Sequence, residues 1–95
     1  MKLEIRPAFV VSALQQSQPV RKGVAKMIAL ASALGMGELL QHEGVHLEKL
    51  QGLMTRDGRQ QYSLRVTRAA RAIAIVEGDV LVLLYVEPDH DKAYR

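Results

Sequence analysis

Three features of this sequence predict an α+β fold, with two helices laid on one face of an antiparallel sheet. Apolar residues recur every three to four positions from Phe9 to Leu34. From Tyr62 to Val66 the period drops to two. Gly78-Asp79, set between two apolar runs, is the signal of a two-residue hairpin.

The elements follow in order. Lys2 to Arg6 alternates around Leu3 and Ile5 as a short strand does. Pro7 suits the first turn of a helix, and Phe9, Val10, Ala13 and Leu14 form its short stripe. Ser17 ahead of Pro19 starts a second helix. Val20, Val24, Met27, Ile28, Ala31 and Leu34 keep one apolar face along it, and Gly35 and Gly37 end it. The stretch from Met36 to Arg59 reads as irregular, with at most a helical turn at Glu38 to Gln41. Then comes a three-stranded meander. Tyr62, Leu64 and Val66 alternate with Ser63, Arg65 and Thr67; Arg71 to Val76 is the second strand; Val80 to Val86, apolar on both faces, is a central strand. Pro88 stops it ahead of the charged tail DHDKAYR.

At 95 residues, 48% of them hydrophobic, the chain is one domain, 1–95, with one core. Aromatics are few (Phe9, Tyr62, Tyr85, Tyr94), so aliphatic side chains must fill that core. The absence of cysteine excludes disulfides and thiol chemistry. The start, MKLEIRPAF, lacks the apolar run of a signal peptide, and the longest apolar run is too short to span a bilayer. A cytoplasmic domain without membrane contact is the expectation.

The net charge of +3 is mild, but its distribution is uneven. Five arginines (Arg56, Arg59, Arg65, Arg68, Arg71) face a single acid, Asp57, within sixteen positions. Such a cluster is a candidate phosphate-binding surface.

His42 to His46, HEGVH, spells the H-E-x-x-H pattern of zinc peptidases. That chemistry needs both imidazoles on one helix face, a third ligand and a substrate cleft. Gly44 and β-branched Val45 disfavour the helix, and no third ligand follows at the required spacing. The segment reads as a loop, no metal or other cofactor is expected, and a zinc hydrolase working through His42 and His46 is only a remote alternative.

Downstream, LEKLQG, QYSLRV and ARAIAIVEGDVLVLLYVEPDHDKAYR, in that order and spacing, resemble the RelE/ParE toxin superfamily, in particular members with an H-D-x-A-Y tail. The resemblance implies a RelE-like fold with the element order just read. It implies the toxin of a type II toxin–antitoxin system, partnered by a cognate antitoxin in a hetero-oligomer. RelE-like members cut messenger RNA on the ribosome, whereas ParE-like members poison DNA gyrase, and a non-catalytic binding module of the same fold is a third possibility.

Metal-independent RNA cleavage uses the neighbouring 2′-hydroxyl as nucleophile. It needs groups that move protons and cations that steady the phosphate. Arg65 lies on the strand face opposite Leu64, and Arg71 matches the family's Y-R arginine; both suit the scissile phosphate. His90 titrates nearest neutral pH, with Asp91 placed to orient it, and Tyr94 matches the tail tyrosine. These four are the candidate catalytic residues, and Lys49, Arg56, Arg59 and Arg68 are candidate nucleic-acid contacts. The reading is an mRNA interferase, with the gyrase poison as its alternative.

Overall fold

The structure is a computed structural model, and it describes residues 1–89. Its elements are β1 (Lys2–Ile5), α1 (Pro7–Leu14), α2 (Gln18–Ala33), α3 (Met36–Gln41), β2 (Glu48–Met54), β3 (Gln60–Arg65), β4 (Arg71–Glu77) and β5 (Val80–Glu87). One five-stranded sheet runs in the order β1-β5-β4-β3-β2. β2 to β5 form an antiparallel meander, and β1 closes the other edge parallel to β5.

The predicted α+β class holds, but the sheet is mixed rather than antiparallel, because β1 joins it parallel to β5, and there are two additions. The helical turn at Glu38 to Gln41 is part of α3. The stretch expected to be irregular contains a whole strand, β2, so the meander has four strands rather than three. The alternation that would reveal β2 is broken within it. The pairing with β3 shifts register between Lys49 and Met54, and Gly52 sits at φ 76, a left-handed conformation that glycine adopts without strain. Gln60 bridges the irregularity by donating from its side-chain amide to the carbonyls of Leu50 and Leu53.

The core forms where the amphipathic helices meet the sheet. Phe9 from α1, Val24, Met27 and Ala31 from α2, and Leu39 from α3 pack on Leu64, Ala72, Ala74, Leu81 and Leu83. A smaller cluster, Leu50 and Ile73 with Leu53 against them, lies on the opposite side of the sheet. The hairpin at Gly78-Asp79 has positive φ at Gly78 alone (60°), the pattern of a type II′ turn, whose twist suits the flanking strands.

A bulge in β5 decides which side chains reach the uncovered face. Ala74 pairs with Leu83 but Ile73 pairs with Tyr85, so Leu84 is an extra residue. Without it Tyr85 would follow Leu81 and Leu83 toward the helices. With it, Tyr85 joins Ile73 on the uncovered side and Val86 enters the main core. α1 secures this region: Val86 N–H donates to Ser12 Oγ at 2.9 Å, and Ser12 in turn donates to the Phe9 carbonyl.

Among the described residues, no helix is long and apolar enough to cross a membrane.

Candidate nucleic-acid interface

The site is assembled by strand register. Leu64 pairs with Ala72 on the helix side, so the next residues, Arg65 and Arg71, stand opposite each other on the uncovered side. Arg71 also pairs with Glu87 of β5. One row across the end of three strands therefore reads Arg65, Arg71, Glu87, and the neighbouring row reads Glu48, Ser63, Ile73, Tyr85. The chain leaves β5 at Glu87, at the same end, and Asp89 N–H folds back to the Glu87 carboxylate.

The two arginines have different environments. Arg65 is exposed, as its place opposite Leu64 implied. Arg71 is 4% exposed. Its Nη1 donates to the carbonyls of Thr67 (2.8 Å), Ala70 (3.0 Å) and Arg68 (3.2 Å), three of the residues that connect β3 to β4. The connection is also tied internally, because Val66 N–H and Thr67 N–H both point to the Ala70 carbonyl while Ala70 N–H donates to Thr67 Oγ1. Arg71 is thus a buried cation that organises the turn carrying Arg68.

The remaining basic candidates do not form one surface. Arg68 is exposed on the β3–β4 connection. Lys49 is exposed on β2 opposite Tyr62, hence on the helix-facing register. Arg56 and Arg59 lie at the other end of β3, in the β2–β3 turn. Arg59 is committed there: its Nε lies 3.1 Å from Asp57, and its Nη1 pairs with Glu77. The Asp57 carboxyl sits below its ordinary value of 3.8, chiefly because Thr55 Oγ1 donates to it and also because Arg59 is near. His90, Asp91 and Tyr94 lie outside the described residues.

Two residues missed in the sequence belong to this region. Tyr85 is 40% exposed on the uncovered face. Partial burial and the nearby Glu87 charge push its phenol above 10.0, so at neutral pH it is a hydrogen-bond donor with an exposed ring. In the sequence it is hidden inside a seven-residue apolar run, and only the bulge turns it outward. Lys26 of α2 is the other, brought to the end of β3 by helix packing, and nothing in its neighbourhood along the chain signals that.

The H-E-x-x-H segment is a turn. His42 caps the C-terminus of α3, and its Nδ1 accepts from Val45 N–H at 3.2 Å. His46 has φ 49, in the left-handed region that no helix interior uses, and its Nε2 lies 3.5 Å from Glu48. The two imidazoles therefore do not share a helix face. Among the described residues, no group of three His, Cys, Asp or Glu side chains converges as a metal site would require.

No family model matches the chain, and no curated protein matches it in sequence. The fold does match a solved structure, that of a copper-bound point mutant of a toxin from Helicobacter pylori. The TM-score is 0.56, the match covers 97% of each chain, and the sequences are 14% identical. At that identity the likeness is one of fold.

Proposed function

We propose that this chain is the toxin of a type II toxin–antitoxin pair, and that it cuts messenger RNA on the ribosome without a metal. The observation that carries the reading is the row Arg65–Arg71–Glu87, at the end of the sheet from which the chain runs on toward His90 and Tyr94. Two cations are thereby held at one end of one sheet, in a fold shared with a toxin, and His90 and Tyr94 follow Glu87 in sequence.

In this mechanism the 2′-hydroxyl attacks the adjacent phosphate, and the 5′-oxygen leaves. His90 or Tyr94 exchanges the protons. Arg65 supplies the exposed fork for the phosphate oxygens, whose charge is most crowded in the transition state. Arg71 contributes its charge from inside the protein and, through its three carbonyl acceptors, fixes the turn beside Arg65. Tyr85 offers a partly exposed ring on the same face for a base to stack on. Apolar residues left exposed on α1, Val10, Val11 and Leu14, suit an antitoxin helix, and the arginines suit its acidic residues.

The test is induction in a bacterium, with growth followed and new RNA 5′ ends mapped. Wild type arrests growth and produces new 5′ ends in ribosome-associated RNA; Arg65→Ala, His90→Ala and Tyr94→Phe do not. Arrest with intact RNA and altered DNA supercoiling would replace this reading with the gyrase poison.

A further inference from the structure

Between α2 and the end of β3 lies a cavity of about 210 Å³. Lys26, Arg65 and Arg68 line it together with Gly23, Gly44 and Thr67. Among the described residues, no acidic side chain lines it, and none of its three cations lies within 4.0 Å of a carboxylate. Arg6 and Arg59, by contrast, each have a carboxylate partner. The volume is several times the ~30 Å³ share of one water molecule, room for a phosphate group and part of its hydration.

The walls are held by close packing. A Cβ on Gly23 would lie 2.3 Å from the Val66 carbonyl oxygen, so α2 meets the end of β3 backbone to backbone. On the other side, Arg65 N–H donates to the Val45 carbonyl at 2.6 Å, which fastens the turn containing Gly44 to the same strand end. Three like charges kept together at a rigid notch repel one another unless an anion enters, and a phosphate oxygen relieves that repulsion while accepting from several donors at once. Thr67 lines the same notch with a hydroxyl that already accepts from Ala70 N–H and has its own proton to give.

Arg65 belongs both to this notch and to the Arg65–Arg71 row. We propose that the notch is a phosphate subsite, in which Lys26, Arg65 and Arg68 hold a backbone phosphate of single-stranded RNA beside the phosphate that is cut. This assignment rests on the nuclease reading. It adds a role for Lys26 and makes the strand pass from the uncovered face around the end of β3 toward α2.

The test uses full-length protein and a short 2′-O-methyl RNA, which lacks the attacking hydroxyl and stays intact. Lys26→Gln weakens its binding on the order of tenfold and lowers the slope of log K against log salt by about 0.7, the value for one phosphate contact on a single strand. Lys26→Arg restores both. Lys22→Gln, exposed on the same helix but outside the notch, changes neither. In amide spectra, the Gly44 and Thr67 signals move with the oligonucleotide. Equal affinity and slope in wild type and Lys26→Gln overturn the subsite while leaving RNA cleavage, read separately from the 5′ ends, intact. If inorganic phosphate shifts Gly44 and Thr67 but the oligonucleotide does not compete, the notch serves a free anion and the strand assignment is overturned. If neither probe binds, the subsite is also overturned.

Discussion

The arginines of the β2–β3 turn and those at the far end of β3 belong to one cluster in the sequence, yet they are two different places in the molecule. β3 separates them, six residues at about 3.3 Å each, or roughly 20 Å. At the first end Arg59 is held by Asp57 and Glu77, the latter carried in from β4. At the second end Arg65 and Arg68 meet Lys26 from α2, and among the described residues no acid lines the cavity they share. A run of charge along a chain is therefore a weak guide to a surface. What matters is which acids and bases the strands return to the same end. The same logic extends to Arg71, which belongs to the same run of arginines as exposed Arg65 and Arg68 but whose guanidinium works as an internal clamp.

The largest expected difference between the two ends is in activity. Arg65→Ala lowers RNA cleavage on the order of a hundredfold, about 2.7 kcal/mol of barrier, because the charge it supplies matters most in the transition state. Arg59→Ala leaves cleavage unchanged. Rates of 5′-end formation with purified ribosomes measure both, and equal losses for the two variants would erase the distinction.

Next in size is a stability effect at the clamp. Arg71→Ala leaves the carbonyls of Thr67, Arg68 and Ala70 without their common donor and destabilises the fold by about 2 kcal/mol, seen as a lower urea midpoint. Arg71→Lys recovers only part of it, since an ammonium cannot reproduce the planar fork. Arg65→Ala, at an exposed position, stays within about 0.5 kcal/mol of wild type.

Smaller again is the contribution of the Arg59 pairs. Both partners are partly exposed, so Arg59→Ala costs at most about 1 kcal/mol, and the difference from wild type shrinks as salt is raised. A loss that persists in high salt would show that packing of the arginine stem, rather than charge, is at work.

The smallest effect is a titration. The folded carboxyl of Asp57 lies below 3.8, so its pairing with Thr55 and Arg59 favours the folded state above that value, and the contribution fades as pH falls through the lowered one. Thr55→Ala removes the main cause and moves the midpoint up toward 3.8, which carboxyl carbon shifts followed against pH resolve directly.

By itself, the sequence determined both long helices, the strands β1, β3, β4 and β5, and the hairpin at Gly78, because each depends on a short-range period or a local turn preference. It also determined that Arg65 faces away from the core, since alternation about Leu64 leaves no other choice. The turn at His42 to His46 was legible from Gly44 for the same local reason. Tertiary structure alone decided the rest. β2 forms because β3 offers it an edge, although Gly52 and a register shift blur its pattern. Tyr85 turns outward because one extra residue, Leu84, is absorbed between partners on β4. Glu77 neutralises Arg59, and Lys26 joins Arg65 and Arg68, through contacts between segments far apart in sequence. Local periodicity is set by the chain's own geometry. The burial of Arg71 and the charge balance at each end of β3 arise only when distant segments exclude water together.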